Sequence, residues 1–135
     1  MSDARRAMER YIEAMNSGAI EMMGEYIADT YQQTFYGFPD VNGVAGAQAY
    51  VTMLRSAYSE MHQSIDDILV DGDKVAMHAT LRGVHTGAIR GIPASGNRIE
   101  MPYLCIAHVR NGKVERAWVA LDKLEYLRQL GVNVR

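Results

Sequence analysis

Asp122 closes the run Ala117-Trp-Val-Ala-Leu-Asp122, a largely apolar strand pattern, and Lys123-Leu-Glu-Tyr-Leu-Arg-Gln-Leu-Gly131 continues as an amphipathic helix. A carboxylate beside apolar surface loses hydration and gains proton affinity, which makes Asp122 the first candidate for a general acid or base. The same position suits a helix N-cap, since Asp accepts hydrogen bonds from the orphan amides of a first turn. Strand alternation puts Val114, Arg116, Trp118, Ala120 and Asp122 on one face, and Glu115, Ala117, Val119 and Leu121 on the other. In the preceding strand Leu104, Ile106 and His108 share one side, opposite Met101, Tyr103, Cys105, Ala107 and Val109. If Asn111-Gly112 closes a two-residue hairpin, His108 falls across from the early part of the last strand. It is then a partner for Asp122, or simply a rim histidine near a turn.

Other chemistries find little support. His62, His78 and His85 have no metal-ligand spacing with one another or with a cysteine, and His-Glu-x-x-His is absent, so no metal is expected. There is no Gly-x-Ser-x-Gly elbow, phosphate-cradling loop or dinucleotide fingerprint. The single Cys105, in Tyr-Leu-Cys-Ile-Ala, reads as core packing. Nine methionines and eight tyrosines could line a cavity for a flat hydrophobic ligand, with Met22, Met23, Met53 and Tyr50 as examples, or could be plain core.

The elements that position these residues follow from periodicity. Ala4, Ala7, Met8, Tyr11, Ile12 and Met15 mark a helix over residues 3–16, stopped by Asn16-Ser-Gly18. Residues 19–28 predict a second, shorter helix and residues 31–38 an extended aromatic segment. Gly37, Pro39, Asn42-Gly43 and Gly46 read as a loop before a third helix over residues 47–58. Residues 64–70, 74–84, 98–109 and 113–121 then read as strands, with tight turns at Asp71-Gly-Asp73 and Asn111-Gly112 and a longer Gly- and Pro-containing connection over residues 83–96. Helices first and an antiparallel meander afterwards give an α+β fold in which a curved sheet, covered by helices, can enclose a pocket.

A chain of 135 residues fits one domain, too short for a cofactor domain plus a substrate domain. A formal charge of -2, with dispersed basic residues, offers no footprint for nucleic acid or an anionic membrane. The charged start Met1-Ser-Asp-Ala-Arg-Arg resembles neither a signal peptide nor a spanning segment, and a cytoplasmic location is expected.

Asp71-Gly-Asp-Lys-Val-Ala76, Leu81-Arg-Gly-Val-His-Thr-Gly87, Gly91-Ile-Pro-Ala-Ser-Gly-Asn-Arg98 and Asn111-Gly-Lys-Val-Glu115, followed by Trp118, Asp122 and Arg128-Gln-Leu-Gly131, together resemble the SnoaL-like polyketide cyclase (ester cyclase) family in order and spacing. The resemblance covers residues 61–131 closely and the first half more loosely. It implies a cone-shaped α+β fold of the nuclear-transport-factor-like (cystatin-like) kind, a curved mixed sheet capped by N-terminal helices. It also implies a homodimer or homotetramer, and a cofactor-free intramolecular aldol cyclisation of a hydrophobic polyketide-type substrate by acid–base chemistry. The family's acid/base aspartate falls at Asp122 and a pocket histidine at His108. Gln33, Phe35, Tyr50 and Met53 would line the substrate site with Tyr103, Ile106 and Trp118. The chain departs from the family at Tyr31-Gln-Gln-Thr34, where many members have Asn or His. It also carries Ala117 and Val119 where many have His and Asp. A binding protein of the same fold without turnover, and an isomerase or epoxide hydrolase using the same cavity, are the alternatives.

Overall fold

The computed structural model describes residues 3–134. Helix α1 (Asp3–Ser17) leads through one 3-10 turn (Met23–Glu25) into strand β1 (Ile27–Phe35). The short strand β2 (Val41–Asn42) precedes helix α2 (Gly43–Ala57). Strands β3 (Tyr58–Asp71), β4 (Lys74–His85), β5 (Arg98–Arg110) and β6 (Lys113–Ala120) follow, and helix α3 (Lys123–Gln129) closes the order. The six strands form one sheet in the order β2-β1-β6-β5-β4-β3, in which β1 runs parallel to β6 and every other pair is antiparallel. The architecture is the expected α+β one with a mixed sheet, but the sheet is not closed: β2 and β3 are its edges. No helix among the described residues is long and apolar enough to cross a membrane.

The hairpins obey their turn chemistry. Asn111 and Gly112 both have positive φ, 52° and 74°, as a primed two-residue turn requires. Two expectations need correction. The helix over residues 19–28 is reduced to the 3-10 turn, because from Ile27 onward the backbone takes ladder positions beside β6, with Ile27 opposite Val114. A three-turn helix there would leave those ladder groups unpaired. Helix α2 starts at Gly43 rather than in the high 40s, so that Gly43-Val-Ala-Gly46 forms its first turn although its glycines read as loop.

Alternation decides what faces the helices. On β1, Tyr31, Gln33 and Phe35 are buried, and on β5, Met101, Cys105, Ala107 and Val109. Ala117 and Val119 of β6 share that inner face, paired with Gln33 and Phe35. Helix α1 lies over this face against β3 and β5, and α2 packs on β1 and α1. Asn16 ties the end of α1 to β3, donating to Gln63 O at 2.9 Å and accepting from Gln63 N at 2.7 Å. Between α1 and the inner face lies the enclosed space of the molecule.

Candidate active site

This space is a cavity of about 50 Å³. Helix α1 contributes Met8, Tyr11, Ile12 and Met15 from its apolar stripe. The sheet supplies Tyr31, Gln33 and Phe35 from β1, Gln63 from β3, Met77 and Leu81 from β4, Tyr103 and Cys105 from β5, and Ala117 and Val119 from β6. Tyr50, Leu54, Arg90, Leu121 and Tyr126 complete it. The lining contains no carboxylate and no imidazole. Its polar groups are five phenols, two carboxamides, one thiol and one guanidinium.

Burial keeps Tyr11, Tyr31, Tyr50 and Tyr103 neutral. Loss of hydration pushes Tyr11, Tyr31 and Tyr103 well above the ordinary phenol value, and Tyr50 up to about 12. The Cys105 thiol is likewise pushed up to about 12 by burial, so it packs rather than reacts. Neutral phenols in a dry cavity are hydrogen-bond donors, not bases.

Two networks hold the carboxamides. The Tyr31 hydroxyl donates to Gln33 Oε1 at 2.7 Å, which turns Gln33 Nε2 toward the remaining cavity groups. The Tyr103 hydroxyl donates to Gln63 Oε1, and Gln63 Nε2 meets Met15 Sδ at 2.9 Å. Gln33 and Gln63 are each 3% exposed. Neither Gln33 Nε2 nor Tyr11 Oη has a hydrogen-bond partner, and the Tyr11 ring meets that of Tyr31 edge to face with centroids 6.1 Å apart. Buried polar groups are nearly always bonded, so two unbonded polar atoms lining one cavity are available to meet a ligand oxygen.

The expected site residues divide sharply. Gln33, Phe35, Tyr50 and Tyr103 line the cavity. Met53 packs on the periphery of the core instead; of the other two methionines singled out from sequence, Met22 is exposed and Met23 is buried away from the cavity. Ile106 is exposed on the outer face of the sheet, and His108 and Trp118 stack edge to face there, with ring centroids 4.9 Å apart. Arg116 lies over Trp118 at 4.5 Å and donates to Thr34 Oγ1 at 2.7 Å. The parity was right and His108 does pair with Arg116 across the hairpin, but the face shared by His108 and Trp118 points away from the cavity.

Asp122 takes the helix-cap arrangement. Its exposed side chain accepts from Glu125 N at 3.1 Å as the N-cap of α3. It borders an outer groove with His78 and Glu125, and Tyr103 and Leu121 stand between that groove and the cavity. The cap placement has a measurable consequence: Asp122→Ala should lower stability by about 1 kcal/mol in denaturant titration, whereas Asp122→Asn, itself a good cap, should leave both stability and turnover near wild type. Loss of turnover in a folded Asp122→Asn protein would return Asp122 to the chemistry.

Tyr11, Tyr31, Gln63, Arg90 and Tyr126 were not singled out from sequence. Tyr11 carried the helical-stripe signal of Met8 and Met15. Arg90 carried an Arg-Gly turn between two isoleucines, hidden in a connection read as irregular.

The class of protein that emerges is an α+β domain whose open, helix-covered sheet encloses a donor-lined cavity. A family model described as SnoaL-like polyketide cyclase matches residues 5–130. The chain is 30% identical over 136 residues to two aklanonic acid methyl ester cyclases. For the protein of Streptomyces sp. strain C5 the match covers 97% of this chain and 83% of the relative. For that of Streptomyces peucetius it covers 97% and 92%. Among solved structures, TsrD from Streptomyces laurentii superposes with a TM-score of 0.85 at 29% identity, covering 96% of this chain and 95% of that one. A SnoaL-like protein of Jannaschia sp. CCS1 reaches a TM-score of 0.86 at 19% identity, over 98% and 94% of the two chains, a likeness of fold. The chain belongs to the SnoaL-like polyketide cyclase family and is an enzyme of the cyclase class.

Proposed function

We propose that this protein catalyses the intramolecular aldol cyclisation of a polyketone substrate held in the α1-covered cavity. The observation that carries the reading is the pair of unbonded buried donors, Gln33 Nε2 and Tyr11 Oη, inside a lining of neutral phenols. A carbon flanked by two carbonyls loses a proton readily once its enolate oxygen is met by preorganised donors. Hydroxyls and an amide in a low-dielectric space are suited to that oxygen, because their dipoles are fixed before the charge appears.

The steps balance without an added reagent. A proton leaves the carbon between the carbonyls, the enolate carbon bonds to a second carbonyl carbon of the same molecule, and the new alkoxide takes up a proton to become a hydroxyl. The product is an isomer of the substrate. A water molecule admitted with the substrate takes the proton and returns it to the alkoxide, and the protein contributes folding of the chain and stabilisation of the enolate. The walls that must yield to admit a substrate include Met8, Met15 and Met77, unbranched side chains that repack at low cost.

Aklanonic acid methyl ester, the compound for which the Streptomyces relatives are named, and the corresponding free acid are the test substrates. Incubation with the purified protein is expected to yield a cyclised product of unchanged mass, resolved by chromatography. Binding of both compounds without a cyclised product would leave a binding protein and end the cyclase reading.

A further inference from the structure

Arg90 lines the cavity, is half-buried, and makes no hydrogen bond or ion pair with any described residue. Its guanidinium lies over two rings, 4.7 Å from the centroid of Phe38 and 5.8 Å from that of Phe35. Rings attract a cation without satisfying its five N–H donors. A cation drawn partly out of water with no counter-charge is costly, and such groups normally find an anion.

The backbone that presents it is a built device. Ile89 and Ile92 exchange both hydrogen bonds, Ile89 N to Ile92 O at 3.0 Å and Ile92 N to Ile89 O at 2.8 Å. Arg90 and Gly91 occupy the two central positions with φ of 49° and 80°, a primed turn whose first place favours Asn, Asp or Gly. An arginine there accepts backbone strain that those residues would avoid. The turn is fixed to the body of the protein. Ile89 is 2% exposed, and Thr86 N and Gly87 N both donate to Ala57 O at 3.0 Å. A Cβ at Gly87 would stand 2.1 Å from Ser56 O, so only glycine permits that docking. The far end is held by Gly96 N on His85 O, at 2.8 Å.

The surroundings agree in sign. Arg90 also lines a surface groove of about 490 Å³ together with Phe38 and Lys123, whose Nζ lies 5.0 Å from the Phe38 ring. Neither the cavity lining nor the groove lining includes an Asp or Glu. Arg90 stands on the wall common to both.

We propose that Arg90 is the specificity-determining residue of this site and pairs with a carboxylate on the substrate, so that this chain takes a polyketone as the free acid in preference to its ester. The inference rests on the cyclase reading of the cavity. A planar guanidinium holds a carboxylate through two parallel hydrogen bonds, and an ester, lacking the charge, offers a far weaker acceptor. The charged end would sit at the mouth, leaving the ketones to reach Gln33 and Tyr11 deeper in.

Aklanonic acid and its methyl ester differ at this one group. In titration calorimetry at low salt the wild-type protein is expected to bind the acid about tenfold or more tightly than the ester. Arg90→Met should abolish the preference for the acid over the ester, and Arg90→Lys should recover part of it. In turnover, Arg90→Met should raise KM for the acid with little change in kcat. Circular dichroism establishes that each variant is folded. Equal affinities in the wild type, or a preference that survives Arg90→Met, would overturn the role of Arg90 while leaving ester cyclisation intact. Failure of the wild type to bind either compound would overturn this inference and the cavity reading together.

Discussion

Gln33→Leu should lower turnover by about a hundredfold or more, the effect seen when one preorganised donor to a developing oxyanion is removed. Gln33 sits on β1 beside Ala117 of β6, 3% exposed, and its carboxamide is oriented by the Tyr31 hydroxyl. Leucine keeps the bulk and deletes the N–H. It also strips Tyr31 of its acceptor, which should cost about 1–3 kcal/mol of stability. A fall in activity could then be blamed on the fold, so Tyr11→Phe is the sharper companion. Tyr11 Oη has no hydrogen bond to lose, and removing a buried unsatisfied hydroxyl should leave stability equal or slightly higher. Turnover should still fall, by about tenfold. A protein that becomes no less stable but slower has lost a group kept for chemistry. Unchanged turnover in both folded variants would remove the donor pair from the mechanism.

Much of this arrangement could be read from residue order, and the failures share a cause. The strands announced themselves through Asp71-Gly-Asp73 and Asn111-Gly112, and strand parity correctly separated Arg116 and Trp118 from Ala117 and Val119. Which set faces inward was not legible, because both faces of β5 and β6 carry apolar side chains. Leu104 and Ile106 are exposed, while Cys105 and Ala107 are buried. The deciding fact is the side on which α1 lies, a tertiary contact that no single strand encodes. Starting from the Asp122 carboxylate, parity with Trp118 and the hairpin to His108 drew the candidate site to the outer face. The true inner face carries Ala117 and Val119, the positions where the family resemblance places His and Asp. The lack of a cavity carboxylate in this chain was thus present in the sequence as a departure from the family, and its meaning appeared only once those two side chains were seen to face Gln33 and Phe35. Arg90 was missed differently: a two-residue turn inside a long Gly- and Pro-containing connection has no periodicity to expose it.

The protein should unfold cooperatively as the pH rises past about 10, through the same phenols that line or flank the cavity. Tyr11, Tyr31 and Tyr58 are each no more than 2% exposed, and burial raises all three above the ordinary phenol value of 10.0. In the unfolded chain they ionise near that value; in the folded one they cannot. A raised folded value means that stability is fully present below pH 10 and is lost as the pH climbs from there toward the raised values. Each phenol therefore favours the unfolded state more strongly as the pH climbs beyond 10. Cys105, 5% exposed and pushed from 9.0 up to about 12, acts in the same direction. Far-UV circular dichroism and tyrosinate absorbance should therefore change together over one narrow interval. Tyr11→Phe, which removes one of the ionising groups, should move the midpoint upward. Gradual growth of tyrosinate absorbance with the helical signal intact would mean that the buried phenols ionise in place, and with them would go the case that the cavity keeps its hydroxyls as donors.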